Sequence, residues 1–152
     1  MTMANKIRAT IETDGVGAFR HELYAGVLAR INQSLGNGYY IEAITLLESI
    51  ISDRLESICN EVNRSNEDAF SVLGTLISHA RRIDVSEDWS DILNKLDEWR
   101  KKRNSAIHEM AKIEDGNMPP FVDRYATCKD IVEEGKVLFR EIDNNIRKYR
   151  NK

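Results

Sequence analysis

Apolar residues recur at three- and four-residue steps along most of the chain, and this spacing is the feature that most limits its fold. A helix with 3.6 residues per turn brings such residues onto one face, whereas a half-buried strand needs strict alternation. No alternating stretch is long enough to predict a strand. The pattern therefore predicts an all-α protein, an antiparallel bundle of about five helices.

Five segments carry the helical pattern, and residues that start or stop helices lie between them. The predicted helices comprise residues 17–35, 39–63, 66–83, 86–114 and 121–149. In the first, the residues expected to be buried are Phe19, Leu23, Val27, Leu28, Ile31 and Leu35. The second has the most regular stripe, formed by Ile41, Ile44, Leu47, Ile51, Leu55, Ile58 and Val62. We expect one helical domain over residues 17–150, preceded by an N-terminal extension, residues 1–16.

Length and composition exclude several classes of protein. A chain of 152 residues, 41% hydrophobic and 31% charged, suits one globular domain. No run approaches the ~18 apolar residues of a membrane span, and the first residues do not lead into a signal peptide, so we expect a cytoplasmic location. Cys59 and Cys128 lack the spacing of a disulfide framework or a zinc site. A net charge of -3 argues against a protein whose whole surface is covered by nucleic acid, but it permits a local basic patch that binds RNA.

The fourth predicted helix carries polar residues where its pattern calls for apolar ones. Its apolar face is formed by Trp89, Leu93, Leu96, Ile107, Met110 and Ala111. Arg103 projects near the middle of this face, Arg100 falls among the same residues, and Asn104 and His108 lie one turn apart on its flank. A buried guanidinium needs a carboxylate, a ligand or a wet interface, because removing it from water is costly. Glu48, on the stripe of the second helix, is the acid predicted to pair with Arg103 or Arg100.

The residues alone leave two interpretations open. In one, Arg103 belongs to a structural ion pair and His108 is a flanking histidine. In the other, the same residues act on RNA, because an imidazole moves protons near neutral pH and a guanidinium suits a phosphate that gains charge during reaction. The 2′-hydroxyl of RNA supplies the nucleophile, so no metal or other cofactor is required. His79 is expected to be a surface histidine.

Residues 103–108 read RNSAIH, a pattern that resembles the RNxxxH signature of the HEPN superfamily. The strict form, with Asn directly after Arg, is expected about 0.02 times by chance in a chain of this composition. The resemblance implies a bundle of four or five helices over roughly residues 17–150, with the motif in a late helix. It also implies a homodimer whose two motifs form one cleft, and a metal-independent endoribonuclease of toxin or defence type that is paired with a cognate antitoxin.

The resemblance assigns a role to each residue of the motif. His108 would be the general acid or base, Arg103 would bind the scissile phosphate, and Asn104 would hold the geometry, leaving a cyclic phosphate end on the product. The candidates for contact with the RNA backbone are the basic residues that flank the motif: Arg100, Lys101, Lys102 and Lys112. Basic residues on a helix also commonly form a solvated face, and this explanation competes with RNA binding.

A second and weaker similarity indicates a noncatalytic function. The stretch SVLGTLISHARR, residues 71–82, precedes RNSAIH by about twenty residues, and this spacing is similar to that of the mannitol operon repressor family, which is regulatory. The competing explanation is structural, with Gly74 allowing two helices to approach closely over Leu73, Leu76 and Ile77. The alternative function is a noncatalytic HEPN-like module that regulates transcription or binds a toxin–antitoxin partner.

Overall fold

The computed structural model describes residues 14–65, 68, 71–83, 85–86, 88–113, 116 and 118–151, and within them the chain contains helices and no strand. The helices are α1 (Asp14–Gly36), α2 (Tyr40–Asn63), α3 (Leu73–Ala80), α4 (Trp89–His108) and α5 (Phe121–Arg150). The predicted fold class, an all-α bundle of about five helices, is confirmed. Most of the predicted N-terminal extension lies outside the described residues, and α1 begins three residues earlier than predicted.

The two long helices α2 and α5 run parallel to each other. At one end, the backbone N–H of Tyr40 donates to the hydroxyl of Tyr125 over 3.0 Å. At the other end, the guanidinium of Arg150 lies 2.8 Å from the carboxylate of Glu61. Both contacts join residues at matching heights along the two helices, so α2 and α5 point in the same direction.

The helix α4 runs antiparallel to α5 and therefore antiparallel to α2. Near the start of α4, Lys95 Nζ lies 3.9 Å from the carboxylate of Glu141, which is late in α5. Just beyond the end of α4, the carbonyl of Glu109 accepts a hydrogen bond of 3.1 Å from Arg124, which is early in α5. The short helix α3 packs against α2 and α4, and α1 packs against α2.

The centre of the core contains a tryptophan of α4 that packs against α5. Trp99 of α4 is fully buried, and its indole N–H donates to the carbonyl of Ile131 over 2.8 Å. A Cβ built on Gly135 of α5 would lie 2.9 Å from the Trp99 ring and 3.0 Å from Leu47 Cδ1. Real Cβ atoms do not come this close, so α5 reaches this distance from α2 and α4 only because residue 135 is glycine.

The predicted buried stripe of α1 is wrong at its N-terminal half. Ile31 is fully buried, but Phe19 and Leu23 are 65% and 53% exposed. The reason is that α1 lies at the outside of the bundle and packs mainly on α2, so one neighbour covers only one side of it. A helical period in the sequence shows that a helix has an apolar face but not whether another helix covers that face.

The helix α3 is shorter than predicted. It begins at Leu73 rather than at residue 66 and ends at Ala80 rather than at residue 83. Asp68, which was expected in its first turn, instead lies in a separate turn in which its carbonyl accepts a 3.1 Å hydrogen bond from the N–H of Ser71. Asn66 and Glu67, the residue types that predicted the start of this helix, lie outside the described residues.

The helix α4 ends six residues before the predicted position, and Ala111, expected on its buried face, is exposed. Arg124 of α5 explains this end. Its Nη1 donates to the carbonyls of Glu109, at 3.1 Å, and Met110, at 3.2 Å, and also to that of Lys112. One guanidinium thus binds three carbonyls of the turn that follows the end of α4 and supports the chain where the helix stops.

The two cysteines are free and buried, and they pack as small apolar residues. Burial raises the pKa of the Cys59 thiol to about 12, and the nearby carboxylates of Asp68 and Glu56 add to this shift. Burial also raises the pKa of Cys128. Within the described ranges, no helix combines the length and the apolar character that crossing a membrane requires.

The contact between Gly135 and Trp99 can be tested by adding one methyl group. Gly135→Ala should lower the free energy of unfolding by about 1–3 kcal/mol, because the new Cβ overlaps a rigid indole ring. Gly26→Ala is the matched control: Gly26 is also helical but has no atom within 4 Å of a built Cβ, so that substitution should be neutral or stabilise by up to about 1 kcal/mol. Urea denaturation of both variants measures the difference, and equal stabilities would contradict the proposed packing.

Candidate functional site

The last part of α4 extends beyond the described residues of α3, so α3 does not cover the RNSAIH motif. Near the start of α4, the indole N–H of Trp89 donates to the carbonyl of Ala80 over 2.9 Å. The end of α3 therefore lies beside the start of α4. The start of α3 lies beside Arg100, because Nη1 of Arg100 would be 3.5 Å from a Cβ on Gly74. Because α3 begins at Leu73, residues 103–108 lie past its end.

The structural explanation of the LGT stretch is only partly correct. Leu73, Leu76 and Ile77 are buried, as predicted. Gly74, however, does not bring two helix backbones together, because its nearest neighbours are side-chain atoms of Arg100 at ordinary contact distances. The glycine that allows a close helix approach is Gly135, and the sequence pattern did not single it out.

The predicted ion pair between Glu48 and Arg103 is present. Nη1 of Arg103 contacts Oε2 of Glu48, and the two side chains are 12% and 36% exposed. Arg103 also donates from Nε over 3.1 Å, and from Nη2, to the Oδ1 atom of Asn104. The guanidinium is thus half-enclosed and held by a carboxylate from α2 and by the amide of the next residue.

His108 is the last residue of α4 and is exposed. Among the described residues, it makes no side-chain hydrogen bond or ion pair. Five positions separate it from Arg103, which turns the two side chains about 140° apart around the helix axis. One copy of the chain therefore brings Arg103 and Asn104 together but does not place the imidazole of His108 beside the guanidinium.

Three of the four basic residues that flank the motif, Arg100, Lys101 and Lys102, are paired with acids. Asp97 accepts hydrogen bonds from Arg100 at 3.0 and 3.1 Å and lies 3.4 Å from Lys101 Nζ. Lys102 Nζ lies 3.3 Å from the carboxylate of Glu134 on α5. These contacts favour the explanation in which the basic run is a solvated, ion-paired helix face, and they leave its contact with RNA a prediction.

The carboxyl of Asp97 shows the strength of this pairing. Partial burial acts to raise its pKa, but the hydrogen bond and charge of Arg100, together with the charge of Lys101, outweigh burial. The net effect holds the pKa below its usual value of 3.8. Asp97 therefore stays ionised at neutral pH and partly neutralises Arg100 and Lys101.

A groove of about 300 Å³ lies beside the end of α4, and Lys112 belongs to it rather than to the face of the motif. Within it, the hydroxyl of Ser105 donates to Glu109 over 2.9 Å. Its lining consists of Ser105, Ala106, Glu109, Met110, Lys112, Pro119, Asp123, Arg124 and Thr127. Ser105 and Ala106 belong to the motif, but Arg103, Asn104 and His108 do not contribute to this lining, so the groove does not include the polar residues of the motif that were predicted to act on RNA.

His79 is partly exposed at the surface, as expected, but it also has a buried partner that was not predicted. Its Nδ1 atom pairs with the carboxylate of Asp68, and the two side chains are 35% and 3% exposed. The backbone N–H of Asp68 donates to Oδ1 of Asn60 over 3.1 Å. The pair therefore connects the turn after α2 to α3, a structural role that hydropathy spacing does not reveal.

A larger polar cluster lies away from the motif, between α1, α2 and α5, and it was also not predicted. Arg54 is 6% exposed and lies 2.9 Å from the carboxylate of Asp143. Tyr24 donates its hydroxyl proton to Asp53, and burial followed by the charge of Asp53 raises the pKa of Tyr24. Arg20 lies 3.6 Å from Asp53, so each of these two carboxylates faces an arginine, which indicates a structural function. Among the described residues, no group of His, Cys, Asp or Glu forms a metal site.

Comparison with known proteins gives this chain no relatives. No protein-family model, no curated protein and no solved structure matches it. The HEPN resemblance therefore depends on the RNSAIH motif and on the helical architecture alone.

The role of Arg124 at the end of α4 can be tested by removing its side chain. Arg124→Ala should lower the free energy of unfolding by about 1–2 kcal/mol and speed amide hydrogen exchange at residues 109–113, because three carbonyls lose a charged donor. Arg140→Ala removes an exposed arginine from the same helix and should leave exchange at those residues unchanged. Equal exchange in the two variants would show that Arg124 does not hold the helix end.

The pairing of Asp97 predicts a pH-dependent contribution to stability. Because its folded-state pKa is depressed, the contribution is present above pH 3.8 and is lost as pH falls through the folded-state pKa. Asp97→Asn should lower the free energy of unfolding by about 0.5–1 kcal/mol at neutral pH, with the difference disappearing in acid. Asp130→Asn, on the exposed side of α5, is the control. Denaturation curves at several pH values provide the measurement, and a difference that persists in acid would contradict this cause.

Proposed function

We propose that this protein is a metal-independent endoribonuclease that acts as a cytoplasmic homodimer, with two RNxxxH motifs forming one cleft. The observation that carries the proposal is the environment of Arg103. Its side chain is 12% exposed and is aligned by Glu48 and Asn104 at the edge of an open face, and His108 is exposed on the same helix. An arginine whose position is fixed, on the same helix as an exposed histidine, suits phosphodiester chemistry better than it suits the packing of a helix seam.

In the proposed reaction, the 2′-oxygen of RNA attacks the adjacent phosphorus and the bond from phosphorus to the 5′-oxygen breaks. One His108 imidazole removes the proton of the 2′-hydroxyl, and the protonated imidazole of His108 of the partner subunit donates a proton to the leaving 5′-oxygen. Arg103 stabilises the negative charge that builds up on the phosphoryl oxygens, and Asn104 keeps the guanidinium in position. The products are a 2′,3′-cyclic phosphate and a free 5′-hydroxyl.

The positions of Arg103 and His108 support a dimer. Because the two side chains point about 140° apart on one helix, a second copy is needed to bring an imidazole opposite a guanidinium. Apolar residues that a partner could cover lie near the same face: Ile41, two turns before Glu48, is 40% exposed, and Val72, next to α3, is 72% exposed. A cognate antitoxin protein is part of the same proposal, and by resemblance it would block this face.

A noncatalytic regulator or partner-binding module is the second candidate function, and a specific observation favours it. Arg103 already bonds to Glu48 and Asn104, and Arg100, Lys101 and Lys102 are each paired with acids. A site whose cations are already paired has little attraction for RNA. In this alternative, the motif fixes the bundle or a partner surface and performs no chemistry.

Cleavage of RNA separates the two functions. Purified protein should cut single-stranded RNA in the presence of EDTA and leave ends that carry a cyclic phosphate. His108→Ala should reduce the rate about 100-fold or more, because it removes a proton-transfer group. His21→Ala is the matched control, since His21 is also exposed and helical but lies on α1. Electrophoresis of end-labelled RNA measures the rates.

Two results would contradict the enzymatic proposal. One is a wild-type protein that cuts none of a broad panel of RNA, and the other is an equal rate for His108→Ala and the wild type. A mixture of Arg103→Ala and His108→Ala chains tests the composite site, because heterodimers would regain one intact combination of the two residues. A monomer by sedimentation at micromolar concentration would exclude the composite site.

A further inference from the structure

The contacts of Arg103 determine how an anion can reach it. A guanidinium offers two hydrogen-bonding edges, a side-on edge formed by Nε and one terminal nitrogen, and an end-on edge formed by the two terminal nitrogens. Oδ1 of Asn104 accepts from both Nε and Nη2, so the side-on edge is occupied by a neutral amide oxygen. The carboxylate of Glu48 contacts Nη1, which belongs to the end-on edge.

The two partners of Arg103 differ in charge and in accessibility. Asn104 is the next residue of α4 and stays beside the guanidinium whatever α2 does. Glu48 belongs to α2, is charged and is 36% exposed, whereas the side chain of Arg103 is 12% exposed. Glu48 therefore lies on the solvent side of the pair, where an incoming anion first meets it.

Glu48 and a phosphate cannot both hold the end-on edge at low cost. Each carries a full negative charge, and like charges a few ångströms apart in a half-buried site repel strongly. We propose that Arg103 binds the RNA phosphate by exchange, in which the phosphodiester takes the place of the Glu48 carboxylate on the end-on edge. The inference rests on the proposed function only in naming RNA as the source of the anion.

The exchange gives Glu48 a defined role as a residue that determines specificity. Its carboxylate swings out to solvent, while Asn104 keeps the plane of the guanidinium fixed, so the phosphate meets an already oriented donor. A weak or poorly oriented anion does not displace the carboxylate, whereas a phosphodiester held by further contacts does. Glu48 thereby lowers the affinity for adventitious anions and keeps the half-buried guanidinium paired when no RNA is bound.

Binding of RNA that cannot be cleaved provides the test. In a fully 2′-O-methylated single-stranded oligoribonucleotide the nucleophile is blocked, so fluorescence anisotropy reports binding alone. Glu48→Gln keeps the size of the side chain and removes its charge, and it should tighten binding about fivefold, the value of a partly exposed ion pair. Arg103→Ala should weaken binding, and Glu48→Gln combined with Arg103→Ala should bind no more tightly than Arg103→Ala alone.

A matched control removes the same charge from the same helix. Glu42 of α2 pairs with the exposed Arg30 over 2.9 Å and has no contact with Arg103. Glu42→Gln should leave the affinity for the oligoribonucleotide unchanged within about twofold, the size of a distant screened charge effect. Glu48→Asp, which keeps the carboxylate, should bind like the wild type. Thermal unfolding of each variant confirms that all are folded at the temperature of the binding measurement.

Three results would overturn the exchange. They are unchanged or weaker binding by Glu48→Gln, tightening that persists without Arg103, and absence of binding by both the wild type and Glu48→Gln. These outcomes are distinct from failure of the proposed catalysis. A protein that binds the oligoribonucleotide in the expected order but never cuts RNA would retain the anion site and lose the enzyme, whereas cleavage without the effect at Glu48 would retain only the enzyme.

Discussion

The close packing of Gly135 against the Trp99 ring and Leu47 fixes the positions of α2, α4 and α5 relative to one another. The arrangement of the candidate site depends on this packing. Glu48 is the residue after Leu47, and Arg103 is one helical turn after Trp99. With Gly135 packed against Trp99 and Leu47, the side chains of Glu48 and Arg103 contact each other at the edge of the core. The ion pair is thus aligned by apolar packing, which tolerates little displacement because interiors are close-packed. A shift of α4 by one turn would separate Glu48 from Arg103.

Helix periodicity was sufficient to predict the fold class, the stripe of α2 apart from the exposed Ile41, and the pairing of Glu48 with Arg103. The last of these followed from one physical requirement, that a guanidinium within an apolar face needs a carboxylate. The features that were not predicted depend on contacts between distant parts of the chain. Gly135 looks like an unfavourable residue for a helix until its neighbours are known, and the end of α4 is set by a side chain of α5.

The same limit applies to polar residues outside the motif. Nothing in the spacing of Asp68 and His79 indicates that a turn brings them together, and the exposure of Phe19 and Leu23 depends on how many neighbours α1 has. Periodicity describes one helix at a time, whereas burial is a property of the assembled bundle. Under the proposed exchange, the two interpretations of Arg103 are compatible. An ion pair with one half-exposed partner can serve as scaffold when empty and as an anion site when occupied.

The hydrogen bonds of Arg124 have a consequence for His108. Because the carbonyls immediately after His108 are held by a side chain from the first turns of α5, the tip of the motif helix and the beginning of the last helix behave as one mechanical unit. A molecule that binds where Arg124 contacts the turn after α4 therefore acts on both helices. A molecule that displaces the Arg124 guanidinium would thus free the turn that follows His108 and shift the imidazole without touching it.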